Sequence, residues 1–171
     1  MDWPISQRIT DPRAASQQEA GHALSRHVPC GDHVGTKVTE NGLVILATSE
    51  IELEKAAYAV QQAVPGLRLW KPQLNYIFGN PLLEPYAVVL VKVPKELGPQ
   101  VLNDLHFRRA ELKSETESNG LVSIEAEVPM SELLGYSTML HLISRSSGSF
   151  KQNFSGYRPG PVADDTDYVA V

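Results

Sequence analysis

Tyr86-Ala87-Val88-Val89-Leu90-Val91-Lys92-Val93, closed by Pro94, is the stretch from which the fold can be read. It is apolar and rich in β-branched residues, which suits a buried strand, and Pro94 ends it because proline brings no N–H to a ladder. Leu97, Val101, Leu105, Arg108 and Leu112 then recur at helical spacing, so the pattern predicts an amphipathic helix over about 98–109 with a stripe of leucine and valine. A strand follows over 111–117. Ser118-Asn119-Gly120 is a hairpin signal, and Val122, Ile124, Ala126 and Val128 alternate with polar neighbours as a half-buried strand does. Pro129 stops that strand. Ser131, with Glu132 behind it, offers a cap for a second helix to about Ile143, and Gly148 punctuates the turn into a last strand over 149–157. The order is βαββαβ.

The first half repeats that order. A short strand over 5–10 precedes Asp11-Pro12, a helix-start pairing for a helix to about His27. Strands over 34–40 and 43–48 flank Asn41-Gly42, a tight-turn dipeptide. A helix over 50–63 follows, with Ile51, Leu53, Ala57, Tyr58 and Val64 as its core candidates, and Pro65-Gly66 ends it. Residues 67–77 supply a fourth strand around Pro72. The expected fold class is therefore α+β, two ferredoxin-like βαββαβ domains in tandem, over 1–78 and 82–158. Each is expected to form a four-stranded antiparallel sheet covered on one face by its helices. The Pro/Gly-punctuated tail 159–171 is expected to be disordered.

Composition excludes several classes. No apolar run approaches the roughly 20 residues of a membrane helix, and Met1-Asp2-Trp3-Pro4 lacks the basic and apolar regions of a secretory signal. Cys30 is the only cysteine, so no internal disulfide can form and a cytoplasmic location is expected. The net charge of −5 over 171 residues is spread unevenly: seven Lys and Arg stand against eight acids in 1–81, and eight against nine in 82–158. Asp164, Asp165 and Asp167 in the tail supply the remainder. Any RNA contact would need a local basic face.

The run from Leu82 to Tyr157 carries Leu83-Glu84-Pro85, then Arg108-Arg109, then Val128-Pro129 with Ser131-Glu132, then Gly135-Tyr136 and Thr138, and finally Gly148 before an aromatic strand. In that order these motifs resemble the carboxy-terminal, fifth domain of elongation factor G and its translational GTPase relatives. More thinly, Glu50-Ile51-Glu52-Leu53-Glu54 and Lys71-Pro72-Gln73 with Tyr76 resemble that family's third domain, although Glu52 stands where the family has histidine. Only Phe78-Gly79-Asn80-Pro81 separates the halves, where elongation factor G has its fourth domain. No Gly-x-x-x-x-Gly-Lys-Ser/Thr phosphate loop occurs, so the resemblance carries no GTP site, no cofactor and no GTPase activity with it. It implies a non-catalytic protein, self-standing or a piece of a longer factor, whose partner is the large ribosomal subunit at its GTPase-associated region, or a translation-related protein.

The site residues implied by the resemblance are His106, Phe107, Arg108 and Arg109, matching the family's Asn-Arg-Arg-Arg, together with His141, Arg145 and Lys151. Arginine suits RNA because its guanidinium forks onto phosphates and stacks on bases. Phe107 replaces an arginine, His141 another, Met139 an aspartate, and Ser147 the arginine of a Gly-Arg-Gly turn, which lowers the charge of this surface. Phe107 and Met139 are equally compatible with an apolar protein-contact patch, the alternative function, and Arg108 and Arg109 with a helix end where cations favour the carbonyl dipole. His27-x-x-Cys30-x-x-His33 has metal-like spacing but lacks a local fourth ligand, and the resemblance implies no metal there. Neither a nucleophile elbow nor a convergent set of acids and bases is present.

Overall fold

Period-two burial builds the first sheet in the computed structural model, which describes residues 3–161. Strand β1 (Ile5–Thr10) turns Ile5 and Ile9 to a face where both are fully buried. Helix α1 (Gln17–Ser25) follows, then the hairpin of β2 (Val34–Thr39) and β3 (Gly42–Ala47), whose Val34, Leu43, Ile45 and Ala47 share that face. Helix α2 (Glu50–Ala63) lays Leu53, Ala56, Ala57 and Val60 onto it. The first sheet closes with two short pairings on β1, made by β4 (Arg68–Leu69) and β5 (Gln73–Leu74), in the order β2-β3-β1-β4 with β5 also on β1.

The second sheet repeats the plan. Strand β6 (Leu83–Pro94) buries Ala87, Val89, Val91 and Val93, and α3 (Gly98–Phe107) packs Val101 and Leu105 above them. The hairpin of β7 (Glu111–Ser118) and β8 (Leu121–Pro129) contributes Val122, Ile124, Ala126 and Val128, α4 (Tyr136–Ser144) contributes Tyr136 and Leu140, and β9 (Ser149–Pro159) completes the order β7-β8-β6-β9. Both units thus place the second strand of each βαββαβ run at an edge and the first in the middle, the ferredoxin-like arrangement. Ile77 and Leu83 exchange two backbone hydrogen bonds of 3.0 Å, so the connection between sheets leaves and re-enters on paired residues.

Several expectations need correction. The fourth strand is not continuous: Leu69 pairs with Ile9 but Gln73 pairs with Ser6, so one extra residue is accommodated between them, and Pro72 has no N–H to bridge the gap. Helix α1 starts after Ser16, whose hydroxyl accepts the Glu19 N–H, because Asp11 is occupied in a turn with Arg13. Tyr58 points outward and Ala56 and Val60 take the core positions, since on a 3.6-residue period they share a face with Leu53. Ser131 does not cap α4. Residues Met130–Glu132 form a 3-10 turn, and Gly135, at φ 74°, opens the helix six residues after the strand ends. For the tail, β9 continues to Pro159 and the Gly160 N–H bonds Leu82, whereas 162–171 lie outside the described residues.

Candidate functional site

The segment 106–109 terminates α3, and its four side chains have different fates. Arg108 caps the helix and turns back: its Nε donates to Asp104 at 2.8 Å, its Nη1 donates to the Glu132 carbonyl at 2.6 Å, and its guanidinium lies 4.8 Å from the Tyr136 ring centroid. Arg109 adopts a left-handed conformation, φ 57°, one residue past the cap. The Ala110 N–H reaches back to Leu105 and the Arg109 N–H to His106, so the helix ends in a Schellman motif whose left-handed position is filled by arginine rather than glycine. From there Arg109 forks onto Glu84, with Nη1–Oε1 at 2.8 Å and Nη2–Oε2 at 3.2 Å, and touches Glu132 and Ser131 at 3.3 Å each. The Glu84 side chain is only 5% exposed, so the fork neutralises a carboxylate withdrawn from water. These partners raise the Arg109 pKa further, the hydrogen bond to Glu84 being the main cause.

His106 and Phe107 are the free pair. Both are exposed, Phe107 to 76%, and their rings meet edge-on at 6.4 Å. His141 lies exposed near the end of α4, and Arg145, just beyond it, is again left-handed at φ 49°, followed by Ser146 at φ 64°. Lys151 stands on β9 facing the first unit. Neither Arg145 nor Lys151 has an ion-pair partner among the described residues. The structure therefore splits the sequence-derived set. Arg108 sits over the first turn of α4, and Arg145 follows its last, about 12 Å away along the helix. The two stand at opposite ends of α4, because Arg108 is drawn to Tyr136 and Glu132.

Sequence reasoning missed two features. Leu142, exposed to 72%, joins Phe107 and Met139 on the helix side of this unit. Across the molecule, Glu50 at the start of α2 accepts the Gly135 N–H at 2.9 Å, joining the N-termini of α2 and α4. Burial raises the Glu50 pKa above its ordinary value, opposed by that hydrogen bond. Beside this link a cleft of about 520 Å³ opens between Asp32, His33, Ser49 and Glu52 on one side and Phe150 to Phe154 on the other. Within this cleft His33 turns to Thr48 (3.2 Å); Cys30 turns to Thr36 (4.0 Å), and among the described residues no three His, Cys, Asp or Glu groups gather to hold a metal. No helix of the described residues is long and apolar enough to cross a membrane.

Comparison with known proteins places this geometry. The family described as elongation factor G C-terminus matches residues 81–166. Elongation factor G 1 of Methylococcus capsulatus is 36% identical over 148 residues, covering 85% of this chain and 20% of its own length. Elongation factor G 2 of Anaeromyxobacter dehalogenans is 32% identical over 133 residues, covering 78% of this chain and 19% of its own length. The chain thus spans about a fifth of these relatives, and alignments of that length reach well into the first sheet. A crystal structure of a Thermus thermophilus protein superposes with a TM-score of 0.61 at 15% identity, covering 95% of this chain and 41% of that one, which shows the shared fold. On the match to its second sheet and helices, this chain belongs to the elongation factor G C-terminus family.

Proposed function

We propose that this chain is a non-catalytic, cytoplasmic protein that docks on the large ribosomal subunit at its GTPase-associated region, through the helices and the edge strand β9 of its second unit. The observation that carries the reading is the family match over 81–166, because every candidate residue from His106 to Lys151 falls inside it. In this reading His106, Phe107, His141, Arg145 and Lys151 meet the partner. Arg108 and Arg109 chiefly hold the α3 terminus against Glu84, Asp104 and Glu132. The sequence holds no phosphate loop, so GTP has no part in it.

Pelleting of the full chain with purified large subunits tests the proposal. Binding should weaken as salt rises, because phosphate contacts release counterions. The double variant Arg145→Glu/Lys151→Glu should reduce it further, and Phe107→Ala should cost about 1–3 kcal/mol if a base stacks there. Arg109→Glu is no clean probe, since it would set a like charge against Glu84. A second reading, a protein-interaction module, is favoured by the exposed Phe107, Met139 and Leu142. It predicts that Phe107→Ala abolishes binding to a non-ribosomal partner while the charge reversals are silent.

A further inference from the structure

The cations of the two units are spent differently. In the second, Lys95, Arg108, Arg109, Lys113 and Arg158 are ion-paired, and among the described residues Lys92, Arg145 and Lys151 are not. In the first, Arg8, Lys37, Arg68 and Lys71 have no ion-pair partner among the described residues. The register places Lys37, Arg8 and Arg68 on one face of the sheet, and Lys71 lines the cleft on that face. Lys37 pairs with Val44 and Val44 with Arg8, so they form one row across β2, β3 and β1 on the face opposite the buried Ile5, Ile9, Leu43 and Ile45. Trp70 extends that row, its backbone N–H bonded to the Arg8 carbonyl at 2.9 Å.

The irregularity between Leu69 and Gln73 gives that row its shape. An inserted residue in a strand re-aims side chains, and here Trp70 and Lys71 both line a cleft of about 440 Å³ on this face, with Arg8, Asn41 and Gln73 around it and Val44 at its floor. Trp70 is fixed by a hydrogen bond from its Nε1 to Thr10 (3.1 Å), and the guanidiniums of Arg8 and Arg68 each lie 4.0 Å from its ring centroid. The stack holds two cations in place at little further entropic cost on binding. Glu40 at the rim is the one acid lining the cleft.

We propose that this open face of the first sheet is a binding surface for single-stranded RNA. A polyanionic strand would place phosphates on Lys37, Arg8, Arg68 and Lys71. Flat, weakly hydrated guanidiniums fixed on a tryptophan offer bases a stacking platform, and the Asn41 and Gln73 amides can bond 2′-hydroxyls. The surface is separate from the second unit's. Its test contains no ribosome, so its failure and that of the large-subunit proposal are distinguishable.

The test is fluorescence anisotropy of the full chain against a fluorescein-labelled oligouridylate of about eight nucleotides, longer than the roughly 15 Å width of four strands. Saturable binding is expected at low salt, with a slope of log affinity on log salt near −3 for four phosphate contacts, or roughly fifty-fold between 50 and 200 mM. Lys37→Glu/Lys71→Glu, both at exposed positions, should weaken it at least about tenfold with an unchanged melting curve, and Arg145→Glu/Lys151→Glu should leave it intact. Absence of saturable binding, equal affinity for duplex RNA or for oligothymidylate, or loss only in the Arg145→Glu/Lys151→Glu variant would overturn the proposal.

Discussion

Arg109 ends α3 in a conformation that costs a side-chain-bearing residue about 1–2 kcal/mol, and what holds it there is the fork onto Glu84. Removing the fork leaves a carboxylate that is 5% exposed without its counterion. Arg109→Ala should therefore destabilise the protein by about 2 kcal/mol, below the usual cost for a fully buried pair because Arg109 itself is partly solvated. Arg109→Lys should recover only part of this, since an ammonium cannot reproduce the two parallel bonds. Urea denaturation followed by circular dichroism checks both, and an unchanged midpoint for Arg109→Ala would refute the structural role. The turn after α4 offers the opposite case: Ser146, at φ 64°, follows Arg145 at φ 49°, and its side chain is exposed. Ser146→Gly should raise stability by about 0.5–1 kcal/mol, the relief of strain exceeding the added freedom of the unfolded chain.

The β2–β3 hairpin shows what a turn dipeptide does and does not specify. Asn119-Gly120 behaves as the sequence suggests, with φ of 54° and 73° at the two turn positions between Ser118 and Leu121. Asn41-Gly42 does not, because Thr39 pairs with Gly42 and the turn residues are Glu40 and Asn41. Gly42 is needed for another reason: its φ is 118°, and a Cβ there would lie 2.6 Å from the Ile9 carbonyl. Gly42→Ala should cost about 2–4 kcal/mol, read as a lowered thermal midpoint, and a melt within error of the parent would contradict this. Local pattern thus revealed the strands, the helices and their order, since burial has a period of two or 3.6. It did not reveal where long-range partners intervene, as when β1 splits the fourth strand into two pairings or Asp11 is drawn to Arg13 and delays α1. The site was legible to the same degree. His106 and Phe107 were found as exposed groups, but Arg109 could not be known as a structural residue because Glu84 lies 25 positions away.

At the scale of the molecule, Glu50 is the one carboxylate among the described residues that bridges the two units, placed where the N-termini of α2 and α4 both favour negative charge. Burial nevertheless raises its pKa above the ordinary 4.5. A raised carboxylate pKa means the folded state binds more protons than the unfolded one, so this residue's contribution falls as pH rises past that ordinary value. Glu50→Gln keeps an oxygen for the Gly135 N–H without the charge. It should melt higher than the parent at neutral pH, with the difference shrinking toward pH 4.5 and below, whereas an equal difference at all pH values would remove burial of charge as the cause. The most direct measurement is competition: the full chain bound to purified large ribosomal subunits at low salt, with elongation factor G titrated in and the pelleted fraction followed. Elongation factor G should displace the chain progressively, because both would use the same carboxy-terminal domain surface. A chain that never pellets with the subunit, or that stays bound at saturating elongation factor G, would contradict it.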